Sequence, residues 1–240
     1  MTDQIASPDK IKAELAALGS PEKAKHSARF FKTGPGEYGE GDVFIGVTVP
    51  NQRMIAKRYR ALPLAEIGPL ITSRVHEHRL TGLLVLVEQF ARNQHTPSRR
   101  EIVDYYLQHL DRVNNWDLVD LSASKILGAH LLQHPEEREI LFTLAGSSDL
   151  WRRRVAVLAT LPMIKTGRFD ELLTLGETLL GDPHDLMHKA VGWMLREVGK
   201  VDLSVLDGFL EKHASTMPRT MLRYSIERME PARRRHFMNR

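Results

Sequence analysis

The chain has 240 residues, 42% of them hydrophobic and 27% charged, a balance that supports a globular core and excludes an intrinsically disordered chain. It contains no cysteine, which excludes disulfides, thiolate zinc sites, iron–sulfur clusters and cysteine nucleophiles. The net charge of +4 is modest but uneven: residues 51–100 hold nine Arg or Lys against Glu66, Glu77 and Glu88, and arginine favours planar contacts to phosphate.

Taken in chain order, nearly every segment has a helical period. Ser7-Pro8 opens a helix through Leu18 and Pro21 opens another through Lys32, each proline at its favoured first position. A Gly-rich stretch, Gly34–Asp42, leads into Val43–Val49, which has strand-like composition but too few partners for a sheet. It is read as an ordered connector returning the chain to the core. Helical runs follow at Asn51–Leu62, Leu64–Thr72, His76–Arg92, Ser98–Leu110, Asn115–His134, Pro135–Leu144 and Leu150–Ile164. Phe169–Leu180, Asp185–Gly199, Leu203–His213, Arg219–Arg228 and Ala232–Met238 complete the set, joined by short turns carrying Gly, Pro, Asp or Ser. Many short helices without strands predict an all-α solenoid of HEAT-like antiparallel helix pairs, about 40–47 residues per pair, whose concave side is the binding surface. The expectation is one such domain over residues 1–240. No apolar run approaches the roughly 18 residues that span a membrane. Met1–Ile5 lacks the charged and apolar regions of a signal peptide, so a cytoplasmic location is expected.

Three places carry candidate chemistry. In Asn114–Asp120, Trp116 and Asp120 are four residues apart and so share a helical face. Capping accounts for the asparagines and for Asp117 at the helix start, but not for Asp120, which lies more than a turn inside. A carboxylate beside an indole calls for a cation, supplied by Arg154 or by a substrate. On the helix Asp185–Gly199, Met187, Ala190, Val191, Met194, Leu195 and Val198 form a buried stripe. Lys189, Trp193, Arg196 and Lys200 fall on the other side, as a stacking platform among cations or as a face covered by further helices. In Leu150–Ile164, Arg154 projects between two apolar arcs, where it needs a carboxylate or phosphate partner. The eleven histidines show no His-Glu-x-x-His or comparable ligand set, and Walker and Gly-x-Ser-x-Gly motifs are absent. No metal or other cofactor is expected.

Several separated motifs resemble, in order, the AlkD family of bacterial DNA alkylation-repair glycosylases. They are Ala28–Gly34, Glu37–Asp42, Val49–Arg53, Asn115–Asp120, Arg153–Ala156 and Lys189–Glu197, within a resemblance running from about Pro21 to Arg228. The resemblance implies a HEAT-like solenoid with duplex DNA in a concave basic groove. It also implies excision of cationic N3- or N7-alkylated purines such as 3-methyladenine and 7-methylguanine. By resemblance Asp120 is the catalytic carboxylate, Trp116 and Trp193 flank the lesion's deoxyribose, and Arg154 contacts the DNA backbone nearby. Arg53, Arg196 and Lys189 match DNA-binding positions. Phe30 stands where some members carry a tyrosine, so any hydrogen bond from that hydroxyl is lost. The expected partner is alkylated double-stranded DNA, bound by a monomer. The alternative reading is a non-catalytic HEAT-like module binding DNA or protein, with Asp120 and Arg154 a structural pair.

Overall fold

The computed structural model describes residues 7–92 and 96–240, so the Met1–Ile5 segment read for a signal peptide lies outside the described residues. The fold is all-α, as the periodicity predicts. Ser7 and Ser20 adopt extended backbone and their hydroxyls accept from the amides of Lys10 and Lys23 at 3.3 and 3.4 Å. With Pro8 and Pro21 at the first helical position, these caps start the helices Pro8–Ala17 and Pro21–Phe30. Among the described residues no helix is long and apolar enough to cross a membrane.

Three expected helices are interrupted. Asn115–His134 becomes Trp116–Ser122, a π-helical turn Ser124–Gly128, and Ala129–Gln133. Ser122 Oγ donates to the Leu118 carbonyl at 2.6 Å and meets the Tyr106 hydroxyl at 3.0 Å, and such back-bonding loosens the helical ladder. Leu150–Ile164 divides into Leu150–Ala159 and Leu161–Lys165, because Pro162 has no N–H for the carbonyl four residues back. Pro135–Leu144 opens as the 3-10 turn Pro135–Glu137 before Glu139–Ala145.

The helices gather into two compact units, Met1–Ser122 and Ala123–Arg240. In the first, the helix His76–Arg92 is central and meets Pro8–Ala17, Val49–Arg58, Leu64–Ile71, Thr96–Gln108 and Trp116–Ser122. It is buried continuously from His76 to Leu86, so its charged first turn sits inside the protein. In the second, the helix Asp185–Val201 is central and packs on Leu150–Ala159, Leu161–Lys165, Leu203–His213 and Arg219–Ser225. Its stripe of Met187, Ala190, Val191, Met194, Leu195 and Val198 has no exposed surface, as its spacing requires.

The connector after Gly34–Asp42 makes only an isolated parallel bridge, Val43 to Val75, despite its strand-like composition. Its order comes from a side chain instead. The buried Glu77 carboxylate accepts from the amides of Ile45 at 3.1 Å, Gly46 at 2.7 Å and Val47 at 3.3 Å. Gly46 is required there: φ is +79°, and a Cβ would lie 2.1 Å from the Ser20 carbonyl oxygen. Replacing Glu77 by Gln keeps the shape but puts an amide where a charged acceptor met three donors. The expected loss is about 3 kcal/mol, read as a fall in melting temperature of roughly 6–12 °C. A melting temperature unchanged in Glu77→Gln would show that the connector is held by other contacts.

Candidate functional site

In the first unit the site is built where the helix Trp116–Ser122 begins. Asn115 is fully buried. Its carboxamide oxygen accepts from Trp116 N at 2.8 Å, and its Nδ2 donates to Asp42 Oδ2 at 3.4 Å. Asp117 does more than favour the helix start: one oxygen accepts from Leu118 N and the other lies 2.8 Å from His76 Nε2. On the far side of the ring, His76 Nδ1 is 3.1 Å from Asp42 Oδ2, while Arg79 Nη2 donates to Asp42 Oδ1 at 2.6 Å. Two carboxylates, one imidazole and one guanidinium thus form a buried chain, with His76 and Arg79 each only 2% exposed.

The electrostatics of that chain follow from its geometry. Burial pushes His76 down, but the Asp117 charge and the hydrogen bonds to Asp117 and Asp42 outweigh it and raise its pKa to about 9. Burial pushes the Asp42 carboxyl up, but the His76 hydrogen bond and the Arg79 charge outweigh it and hold it below the ordinary value. His76 is therefore an imidazolium at neutral pH, and the four charges cancel. Asp117 and Asp42 are both engaged inside this network.

Aromatic rings cover the network. His76 stacks on Phe44 with centroids 4.6 Å apart, Phe44 on Phe31 at 5.1 Å, and Phe31 on Trp116 at 5.1 Å with an interplanar angle of 15°. Phe30, 58% exposed, meets the edge of Trp116 at 5.8 Å. Trp116 and Asp120 are both half-buried, and Asp120 is itself engaged by a partner within the protein. Arg53 is exposed on the helix Val49–Arg58, and its side chain enters no hydrogen bond or ion pair among the described residues.

In the second unit the expected basic row is present but compensated. Trp193 is half-buried and donates from Nε1 to Glu197 Oε1 at 3.0 Å. Lys200 binds the same oxygen at 2.6 Å, Arg196 pairs with Glu227, and Lys189 lies 2.7 Å from Asp185. Arg154 is 5% exposed on the helix Leu150–Ala159, and its Nη1 donates to the Leu186 carbonyl at 2.7 Å. It is the buried, partnered arginine that its position between two apolar arcs demands. Gly192 lets the helix Arg219–Ser225 approach, since a Cβ there would lie 2.5 Å from the Met221 carbonyl oxygen.

Sequence reasoning missed His76, Arg79, Phe44 and Glu227, and gave no role to Phe31, Asp42 or Glu197 although all three lie in the quoted motifs. The available signal was the run His76-Glu77-His78-Arg79 immediately before an apolar helix, which reads as a solvated first turn.

The family described as DNA alkylation repair enzyme matches residues 11–229, more than half of the chain. A solved structure described as a predicted DNA alkylation repair enzyme from Enterococcus faecalis superposes with a TM-score of 0.71 at 19% identity, covering 89% of this chain and 98% of that one. At that identity the likeness establishes the fold. No curated protein matches the chain.

The buried imidazolium makes stability depend on pH. Its folded pKa of about 9 lies above the ordinary 6.5. Its contribution is thus complete below about pH 6.5, declines as pH rises, and is gone once pH passes about 9. Urea unfolding between pH 6 and 10 is expected to show a loss of a few kcal/mol over that window in the wild type and a flatter profile in His76→Asn. Parallel profiles would mean that His76 is neutral in the folded protein.

Proposed function

Because this chain belongs to the DNA alkylation repair enzyme family, we propose that it is a monofunctional DNA glycosylase. It releases cationic N3- and N7-alkylated purines, such as 3-methyladenine and 7-methylguanine, from duplex DNA. The observation that carries the reading is the fixed Trp116 ring, stacked on Phe31, with Asp120 one helical turn further on.

The chemistry asks little of the protein. An alkylated purine already bears positive charge, so its C1′–N bond breaks with the bonding pair leaving on a neutral base, and no acid is needed. Positive charge then develops on the deoxyribose. The Asp120 carboxylate stabilises it electrostatically, and an indole face adds cation–π attraction of roughly 0.5–2 kcal/mol. Water adds at C1′ and gives up a proton, leaving an abasic site. Asp120 can orient that water by accepting its hydrogen bond.

The remaining roles follow the family resemblance. Trp193, held through Nε1–H on Glu197, is the second indole of this chemistry. Arg154 serves the DNA backbone near the lesion, and Arg53, Arg196 and Lys189 serve phosphates. Exposed Phe30 offers an apolar edge where a tyrosine hydroxyl would hydrogen-bond. Alkylated double-stranded DNA is the partner, the protein acts as a monomer, and its place is the cytoplasm.

The test is release of 7-methylguanine from methylated duplex DNA. Wild type is expected to release it, and Asp120→Asn to be slower by about 100- to 1,000-fold with nearly unchanged DNA affinity. Retained excision in Asp120→Asn would overturn the role of the carboxylate. Absence of release by wild type, with duplex still bound, would make the protein a non-catalytic DNA-binding module.

A further inference from the structure

We propose that His130, His134 and Glu137 form a binding site for a divalent transition-metal ion of the zinc class, held by imidazole nitrogen and carboxylate oxygen. The site lies within the second unit and does not rest on the glycosylase reading.

The backbone brings the three residues together over eight positions. His134 N donates to the His130 carbonyl at 3.0 Å, completing the last turn of the helix Ala129–Gln133, and Glu137 N donates to the His134 carbonyl at 3.1 Å. Pro135 starts the 3-10 turn Pro135–Glu137 between these bonds, so the carboxylate folds back toward the two rings. The rings stack with centroids 4.3 Å apart and planes 24° from parallel. One ligand atom from each of the three residues lies within 4.8 Å of the others.

The distances suit a small tetrahedral ion. Metal–nitrogen bonds of about 2.0–2.1 Å put neighbouring ligand atoms roughly 3.3–3.4 Å apart. His130 Nε2 and Glu137 Oε2 are already 3.1 Å apart. His134 is 31% exposed and can turn the remaining short way, whereas His130 is 5% exposed and fixed. A second carboxylate supports the set: Glu136 Oε1 lies 3.1 Å from His134 Nδ1. Ligating histidines characteristically donate their other ring N–H to such a group, which leaves Nε2 as the acceptor toward a metal. The adjacent cation, Arg138, is engaged by Glu171 at 2.7 Å and by the Leu131 carbonyl at 3.2 Å. Two imidazoles with one carboxylate select zinc, nickel or cobalt over magnesium, which prefers all-oxygen shells. A bound ion clamps the helix Ala129–Gln133 to the turn that leads into Glu139–Ala145.

The experiment uses the full chain without an affinity tag, treated with chelator and then titrated with zinc, cobalt or magnesium chloride. Zinc at about a hundredfold above its Kd is expected to raise the melting temperature by roughly 5–10 °C. Cobalt is expected to give visible ligand-field bands of a tetrahedral site, and magnesium to do nothing. His134→Ala removes both responses, Glu137→Gln weakens zinc at least tenfold, and Glu136→Gln does so by about tenfold. His188→Ala, which breaks the other four-apart pair with His184, leaves them intact. The proposal is overturned by a wild-type protein indifferent to zinc, by an equal response to magnesium, or by a response that survives both His134→Ala and Glu137→Gln.

Discussion

Burying the turn His76-Glu77-His78-Arg79 is the constraint on which the first unit depends, because all four side chains are at most 9% exposed. An unpaired charge in such a place costs several kcal/mol, so each needs a partner brought from elsewhere in the chain. Glu77 takes the amides of residues 45–47, and Arg79 and His76 share Asp42. His76 also takes Asp117, and His78, pushed down to about 4 chiefly by burial and so neutral, meets Ser73 Oγ at 2.9 Å. One turn of helix thereby fixes the connector after Asp42 and the start of the helix Trp116–Ser122. The candidate site inherits its geometry from that bargain. Trp116 precedes the anchored Asp117, and its ring closes a stack whose other end is His76 itself.

The second unit handles charge differently. Lys189, Arg196 and Lys200 are matched to carboxylates on the same or a neighbouring helix, with Glu197 serving both Lys200 and the Trp193 indole. Exposed pairs of this kind are worth about 0–1 kcal/mol. Lys189 and Lys200, with side chains 38% and 48% exposed, form pairs of this exposed kind. Arg153, bound to Asp182 and to the Ser147 and Ser148 carbonyls, is structural: its side chain is 13% exposed and Asp182 only 3%. It braces the turn leading to the helix Leu150–Ala159.

Much of this was legible from residue spacing. The stripe from Met187 to Val198 is read residue for residue, since a helix that packs on one side must bury every third or fourth position. Arg154 between two apolar arcs also announced a buried cation in need of a partner. The helix breaks were less legible. Pro162 gives a covalent reason for one, but the π turn after Ser122 depends on Ser122 turning to Leu118 and Tyr106, and nothing local reveals that choice. The role of Asp117 was hidden for the same reason. At a helix start a carboxylate has a sufficient local explanation, and its actual partner, His76, is 41 residues away.

The sequence by itself determined the helices, their buried faces and the membership of Trp116 and Asp120 in one helical face, because these follow from backbone periodicity and short-range capping. It also carried the family's motifs in order. Only the tertiary structure decided which charges are consumed in the interior. That choice depends on which segments meet, and a buried carboxylate and an exposed one have the same letter. The chain Asp42–His76–Asp117 ties two acids to a buried imidazolium rather than to solvent. No spacing rule could have made that distinction.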